Sequence, residues 1–178
     1  MTLVVMSGLP GSGKSRLAAA LAREIGCAVV AVDTVERGLH DAGVDPEQPL
    51  GLAAYAVANR LVAAQLALGH DVVADAVNHH PEARQAWLDL ARDHGHEVRV
   101  VQVECSDEAL HRERLAARDH ELRAVPWERV VGLRETWTPW PVPVTVIDTA
   151  GPPSAVDDVV RTVLVERTGR STAPSVPR

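Results

Sequence analysis

The sequence predicts an α/β fold in which helices cover both faces of a parallel sheet. Three observations lead to this class. Five short apolar runs alternate with segments of helical periodicity, and doubly covered parallel strands have this near-continuous apolar composition. A glycine-rich loop separates the first run, residues 3–6, from the first helix, residues 16–25. The length of 178 residues fits one domain.

The next elements follow from apolar spacing and from turn residues. An apolar run at 28–32 predicts the second strand, and residues 34–41 have the composition of a short helix. Two prolines break the chain before a long apolar helix at 52–68, which Gly69 ends. Arg60 lies inside this helix and makes a membrane span too costly, so we expect a buried helix of a protein without membrane association.

The second half of the chain continues the alternation. Strands are predicted at 71–75, 97–103 and 144–147, and helices at 81–94, 107–118 and 127–136 with a last one from Ser154. Pro81 suits the first turn of its helix, and Ser106 is expected to cap the helix at 107–118. We expect one domain over 1–166 with a lid at about 118–127, followed by a disordered tail at 167–178.

Composition narrows the class of partner. The formal net charge is −6, which disfavours a polynucleotide ligand because phosphate backbones are bound by basic surfaces. The two cysteines, Cys27 and Cys105, have no metal-ligand spacing, so reduced thiols in a cytoplasmic protein are expected. No basic leader precedes the first apolar run.

The loop between the first strand and the first helix reads Gly-Leu-Pro-Gly-Ser-Gly-Lys-Ser and matches the P-loop pattern. Its glycines allow backbone N–H groups to surround a phosphate, and the following helix adds a partial positive charge. Lys14, the only lysine of the chain, is expected to reach the β- and γ-phosphates, and Ser15 to ligate Mg²⁺. The predicted nucleotide-binding residues here are Gly8, Pro10, Gly11, Ser12, Gly13, Lys14, Ser15 and Arg16.

Two carboxylates follow predicted strands, where ligands collect in α/β sheets. We assign Asp75 to Mg²⁺ and Asp33 to the proton of an attacking hydroxyl. Alternatives remain for both, since Asp33 could simply cap the helix that follows it and Asp75 could be a turn residue. Asn78, His79 and His80 could contact substrate or be solvated.

Arginines on the helix at 107–118 are candidates for stabilising transferred phosphate. Arg114 and Arg118 share a face that leads into the predicted lid, although a solvated salt-bridged surface is the alternative. Trp137 and Trp140 could stack on a substrate ring or pack in the core. The backbone around Thr149, after the last strand, is expected beside the adenine.

These motifs together resemble small P-loop kinases of the AAA_33 type, a group related to polynucleotide kinase, gluconate kinase, zeta toxin and chloramphenicol phosphotransferase. The resemblance covers about 1–166. It implies a P-loop NTPase three-layer sandwich with sheet order 2-3-1-4-5, a short helical lid, ATP and Mg²⁺ as cofactors, Asp33 as catalytic base, and lid arginines at Arg114 and Arg118.

The expected function is therefore ATP-dependent phosphorylation of a small-molecule hydroxyl on a sugar, nucleoside or antibiotic, by a monomer or homodimer. A polynucleotide 5′-hydroxyl kinase is one alternative, disfavoured by the negative charge and by Glu36, where polynucleotide kinases have arginine. A non-catalytic ATP-binding regulatory module is the other. We expect residues 33–60 to form much of the acceptor pocket.

Overall fold

The computed structural model describes residues 1–45, 48, 50–117 and 125–151. Within them it contains the following elements: β1 (Thr2–Ser7), α1 (Lys14–Ile25), β2 (Ala28–Ala31), α2 (Val32–Asp41), α3 (Gly51–Ala67), β3 (Val72–Asp75), α4 (Pro81–Asp93), β4 (Glu97–Glu104), α5 (Glu108–Ala116), α6 (Trp127–Glu135) and β5 (Val144–Asp148). The predicted last helix, the tail and most of the lid lie outside the described residues.

The five strands form one all-parallel sheet in the order β2-β3-β1-β4-β5. This arrangement confirms the predicted fold class and strand order. In the register of the central strands, Met6 of β1 lies opposite Asp75 of β3, and Ser7 lies opposite Gln102 of β4. The loop after β1 therefore leaves the sheet between the ends of β3 and β4.

Each face of the sheet has its own apolar core. Val4 and Met6 of β1 pack with Leu17 and Leu21 of α1 on one face. The alternate residues of β1 point to the other face, where they pack with α3 and α4 around Trp87. Burying a leucine or valine side chain contributes about 1.5–3 kcal/mol to the stability of the fold. The two cores therefore stabilise the sheet, whose strand ends form the site.

Helix α3 is buried along one face only, whereas the sequence predicts a buried helix. Ala54, Ala58 and Val62 face the sheet, but Leu52 is 85% exposed and Leu68 is 69% exposed. The reason is geometric, because a helix lying on a sheet presents only one row of side chains to it. No helix of the described part of the chain is long and apolar enough to cross a bilayer.

Two helix starts differ from the predicted ones. Helix α2 begins at Val32 directly after a four-residue β2, with Ala31 as its cap residue, so Asp33 lies in the first turn and is not the cap. Helix α5 is capped by Asp107, which accepts from the N–H of Leu110 at 3.0 Å. Ser106 is not that cap, because its hydroxyl is bonded to Asp148 instead.

Candidate functional site

The P-loop leaves β1 with three glycines in backbone conformations that side chains rarely adopt. Their φ angles are 154° at Gly8, 80° at Gly11 and 93° at Gly13. At Gly8 a Cβ atom would lie 2.3 Å from the carbonyl oxygen of Val103. Only glycine therefore allows the loop to pass this close to β4.

Helix α1 begins at Lys14, the residue that the sequence assigns to the phosphates. Lys14 is buried, at 5% exposure, whereas Ser15 and Arg16 are exposed in the first turn. No acidic residue occupies this first turn, so the partial positive charge of the helix N-terminus is not offset locally. The hydroxyl of Ser12 is buried without a hydrogen-bond partner among the described residues. These features fit a bound polyphosphate.

His111 of α5 supports the P-loop from the side. Its Nε2 donates to the carbonyl of Pro10 at 2.8 Å, which fixes the proton on that nitrogen. The buried imidazole also packs edge-on against Trp127, with ring centroids 5.2 Å apart. A Cβ on Gly11 would approach the same imidazole to 3.1 Å. Sequence reasoning missed His111, since a lone histidine within a helix has no motif.

Asp75 ends β3 beside the P-loop and is 4% exposed. Its Oδ1 has no hydrogen-bond donor among the described residues. Asp33 lies in the first turn of α2, two residues after Ala31, which is paired with Asp75 in the sheet. The structure thus brings the two predicted carboxylates to adjacent strand ends.

Tyr55 of α3 is hydrogen-bonded to the loop that follows β3. Its hydroxyl oxygen accepts a hydrogen bond from the backbone N–H of Asn78 at 2.9 Å. Burial is the main cause that raises the pKa of Tyr55 to about 12; the hydrogen bond from Asn78 lowers this pKa, and the charges of Asp33 and Asp75 add smaller increases. The phenol therefore keeps its proton at neutral pH. Tyr55 is the only tyrosine of the chain, and no pattern in the sequence marked it.

Asn78 fixes the loop that follows β3. It is fully buried, adopts a positive φ of 55°, and donates through Nδ2 to the carbonyl of Met6 at 2.8 Å. Its Oδ1 accepts from the indole N–H of Trp87 at 2.9 Å. Both ends of the amide are thus used inside the protein.

Arg84 of α4 is buried and binds backbone carbonyls. It donates to the carbonyls of Asn78 at 2.6 Å, His79 at 3.2 Å and Pro139 at 3.1 Å, and also to that of Thr138. Burial lowers the pKa of this guanidinium. These bonds tie the loop after β3 to the segment that precedes β5.

Trp137 and Trp140 pack on this arginine. The Arg84 guanidinium carbon lies 4.9 Å from the ring centroid of Trp137 and 5.3 Å from that of Trp140. His79 packs against Trp137 and donates from Nε2 to the Thr136 hydroxyl at 3.0 Å. Burial lowers the pKa of His79. Trp140 is buried and serves as internal packing, whereas Trp137 is half-buried and also lines the cavity beside the P-loop.

Arg114 is committed to the loop after β5. Its guanidinium donates to the hydroxyl of Thr149 at 2.8 Å and to the carbonyl of Thr149 at 3.1 Å. The Thr149 hydroxyl in turn donates to the carbonyl of Ser12 at 2.7 Å. The Thr149 N–H donates to the backbone carbonyl of Glu104. Two predicted site residues, Arg114 and Thr149, are therefore bonded to each other, and Thr149 is bonded to the P-loop at Ser12. Arg118, the other predicted arginine, lies outside the described residues.

A cavity of about 410 Å³ opens in front of the P-loop, on the side of β4. Gly8 and Leu9 form one wall, and Arg134 in the last turn of α6 forms another with Trp137, which follows the helix. This volume suits a small ligand. None of its lining residues comes from the predicted acceptor segment, 33–60. Arg134 is a cation that sequence reasoning missed, because only the fold brings α6 to the P-loop.

The described residues fit a magnesium nucleotide. In the described ranges no group of three or more His, Cys, Asp or Glu side chains could hold a metal alone. Mg²⁺ differs from zinc in needing few protein ligands, because it keeps several waters and uses substrate phosphates. Ser15, Asp75 and a bound polyphosphate match that donor set.

A family model of the AAA domain type, AAA_33, matches residues 3–138. The chain belongs to the AAA_33 family. An uncharacterized protein of Mycobacterium tuberculosis is 35% identical over 115 residues. That match covers 58% of this chain and 23% of the relative, so the chain spans about a quarter of the relative's length.

Solved structures show the same fold as this AAA_33 chain. A putative kinase from Chloroflexus aurantiacus superposes with a TM-score of 0.79 at 19% identity, covering 94% of this chain and 96% of that one. Kti12 from Chaetomium thermophilum, in complex with ADP-AlF3, has a TM-score of 0.69 at 20% identity, covering 92% and 97%. The APS kinase of Mycobacterium tuberculosis, in complex with AMPPNP and APS, has a TM-score of 0.67 at 20% identity, covering 94% and 97%. The chain thus has the P-loop kinase fold.

Proposed function

We propose that this chain is an ATP- and Mg²⁺-dependent phosphotransferase whose acceptor is a hydroxyl group of a small molecule. The observation that carries the proposal is the Asp75 carboxylate, buried beside the P-loop with one oxygen lacking a donor among the described residues. Burying a carboxylate without a partner is costly. This cost supports a role for Asp75 in holding Mg²⁺, directly or through water, together with Ser15.

Asp33 is the proposed general base. In the step we propose, the acceptor oxygen forms a bond to the γ-phosphorus, and the bond from that phosphorus to the β–γ bridging oxygen breaks. The proton of the attacking hydroxyl passes to the Asp33 carboxylate. The buried Lys14 ammonium and the N–H groups of the P-loop stabilise the charge on the phosphate oxygens.

Three arginines are candidates for contacting the transferred phosphate. Arg114 and Arg118 are those predicted from the sequence, and Arg114 is bonded to Thr149 here. Arg134 lines the same cavity as Gly8 and Leu9, which supports Arg134 as a further cation at the opening of the P-loop. Arg134→Ala should lower turnover. Arg129→Ala is the control and should leave turnover unchanged, because Arg129 is exposed on the same helix.

The test is phosphoryl transfer from labelled ATP, with and without Mg²⁺, to a panel of sugars, nucleosides and hydroxylated antibiotics. Lys14→Ala, Asp33→Asn and Asp75→Asn are assayed beside the wild type. Asp41→Asn is the matched control, because Asp41 is an exposed acid at the other end of α2. We expect transfer to one acceptor class, lost by orders of magnitude in the three variants and retained in the control.

Two results would contradict the proposal in different ways. Tight ATP binding without transfer to any acceptor, unchanged by Asp33→Asn, would favour a non-catalytic ATP-binding module. Transfer to a 5′-hydroxyl oligonucleotide, added to the same panel, would favour a polynucleotide kinase.

A further inference from the structure

The P-loop contains a tight turn over residues 9–12. The N–H of Ser12 donates to the carbonyl of Leu9 at 3.1 Å, with Pro10 and Gly11 at the two central positions. Proline followed by a residue of positive φ, here 80° at Gly11, is typical of a type II turn. A type I turn has the same ends but has its central peptide rotated by roughly half a turn. The Pro10–Gly11 peptide is therefore the part of this turn whose orientation must be fixed.

His111 of α5 fixes the orientation of that peptide. Its Nε2 donates to the Pro10 carbonyl at 2.8 Å. The C=O and N–H groups of a planar trans peptide point in opposite directions, so the Gly11 N–H points away from His111. Rotation of the peptide to the type I orientation would break the bond from His111.

The imidazole of His111 is itself held in place by its surroundings. It is 1% exposed, and it packs edge-on against Trp127 of α6 with ring centroids 5.2 Å apart. The guanidinium carbon of Arg112 lies over Trp127, 4.4 Å from the ring centroid. A Cβ on Gly11 would lie 3.1 Å from the imidazole, so the loop and the ring are in close contact. Packing between α5 and α6 thus positions the donor.

The Thr149 hydroxyl acts in the same way on a second P-loop carbonyl. It donates to the carbonyl of Ser12 at 2.7 Å, which is nearer than the Glu104 carbonyl at 3.0 Å. Arg114 donates to the same hydroxyl oxygen at 2.8 Å, so the hydroxyl proton is left for a carbonyl. The N–H of Gly13, which belongs to the same peptide as the Ser12 carbonyl, therefore points away from Thr149.

The orientation of these two peptides decides whether the loop attracts or repels an anion. An inward N–H donates to a phosphate oxygen, whereas a rotated peptide would present its carbonyl oxygen to the same negative charge. Each peptide precedes a glycine of positive φ, Gly11 or Gly13. Glycine adopts positive and negative φ about equally well, so bonds from outside the loop are needed to select one orientation.

We propose that His111 and Thr149 are positioning residues that keep the N–H groups of Gly11 and Gly13 directed at the polyphosphate of a nucleotide. Neither side chain has to touch the nucleotide, because each acts through a backbone peptide. The peptides are oriented before binding, so less conformational freedom is lost when the ligand binds. This inference rests on the proposed use of the P-loop for ATP.

Two pairs of variants separate the donors from the shapes of these side chains. His111→Phe keeps a ring without the donor, whereas His111→Gln carries an amide N–H at about the reach of the imidazole Nε2. Thr149→Val removes the hydroxyl, and Thr149→Ser keeps it. Within each pair, only the first variant should lose affinity for the nucleotide.

Calorimetric titration with ATP and Mg²⁺ measures that affinity. Loss of a neutral hydrogen bond predicts a Kd about three- to tenfold higher in His111→Phe and Thr149→Val, and within about twofold of the wild type in His111→Gln and Thr149→Ser. Wild-type affinity in the two variants without donors, whatever their Tm, would overturn the proposal. An equal loss in both members of each pair would also overturn it, because altered packing would then explain the loss.

Pyrophosphate with Mg²⁺ is a second ligand, which separates the phosphates from the base. We expect the same fold loss of affinity for pyrophosphate as for ATP in His111→Phe and Thr149→Val. A loss for ATP alone would place the effect at the base and overturn the proposal. A wild type that binds ATP and transfers phosphate to no acceptor would contradict the proposed phosphotransferase function and leave this inference intact.

Amide NMR spectra of the wild type test the proposal without any variant. On saturation with AMPPNP and Mg²⁺, the signals of Gly11 and Gly13 should move downfield and exchange more slowly with water, because each N–H gains a phosphate oxygen. Gly26 is the control, since its N–H already donates to the Ala22 carbonyl at 2.9 Å at the other end of α1. Gly11 and Gly13 signals that stay unchanged at saturation would overturn the proposal.

Discussion

The side-chain amide of Asn78 donates to the carbonyl of Met6 at 2.8 Å, across 72 positions of the chain. Met6 is in β1 just before the P-loop, and Asn78 follows β3. Because the Asn78 N–H also binds Tyr55, this one residue connects the phosphate loop with the proposed acceptor side. Its positive φ of 55° is a conformation that asparagine tolerates better than most residues.

Asn78→Ala should lower the free energy of unfolding by about 2–4 kcal/mol. The change leaves the buried indole N–H of Trp87 without its partner and removes one bond to Met6. Urea unfolding followed by tryptophan fluorescence measures it. Asn59→Ala is the control, because the Asn59 amide donates to the carbonyl of Tyr55 within its own helix. An equally small loss in both variants would contradict the prediction.

Arg84→Lys should destabilise the protein by about 2–4 kcal/mol despite keeping the charge. A lysine cannot reproduce the fork of donors that binds the carbonyls of Asn78, His79 and Pro139. The control is Arg92→Lys, since Arg92 is exposed and pairs with Asp89 and Asp93. Thermal unfolding of the two variants decides the matter, and a similar Tm would show that the carbonyl bonds contribute little.

Gly8→Ala should weaken ATP binding by about tenfold or more. The new Cβ would lie 2.3 Å from the Val103 carbonyl oxygen, so the P-loop must shift away from β4. Calorimetric titration with ATP measures the loss. Gly38→Ala is the matched control, because nothing lies within 4 Å of its Cβ in helix α2. That variant should bind ATP normally and gain about 0.5–1 kcal/mol of stability.

Asp148→Asn should lower the Tm at about pH 7 by a few degrees at most, because Asp148 is exposed. Hydrogen bonds from Ser106, and then from Ala150, hold the pKa of Asp148 below its usual range. A lowered carboxyl pKa contributes stability above the unfolded pKa of about 3.9, and that stability is lost as the pH falls through the folded pKa. Melting curves from about pH 7 to about pH 3 test this prediction. The difference in Tm between the two proteins should shrink as the pH falls below the unfolded pKa, and a constant difference would contradict the prediction.

The fold could be predicted because its signals are local. Apolar runs predicted the strands. Turns and helix ends were predicted from the P-loop, Pro81, Gly69 and Gly95. Strand order then followed from the family resemblance. The ends of β2 and β3 are adjacent in that order, so Asp33 and Asp75 could be placed at neighbouring strand ends from the sequence.

The supporting residues could not be predicted, because their partners are backbone groups far away in the chain. Arg84 binds carbonyls that precede β5, and His111 binds the Pro10 carbonyl across 101 positions. No motif records such bonds, since any residue supplies a carbonyl. The start of α2 was placed too late for a related reason: β2 is an edge strand, and where it leaves the sheet depends on its single partner, β3.

The burial of Lys14 has a practical consequence for covalent labelling. Lys14 is the chain's only ε-amine and is 5% exposed. An amine-selective reagent small enough to enter the P-loop can therefore mark one side chain, apart from the α-amino group. Intact-mass measurement would then report how many nucleotide sites are occupied. A bound nucleotide shields the Lys14 amine, so the fraction of chains labelled at Lys14 equals the fraction of unoccupied sites.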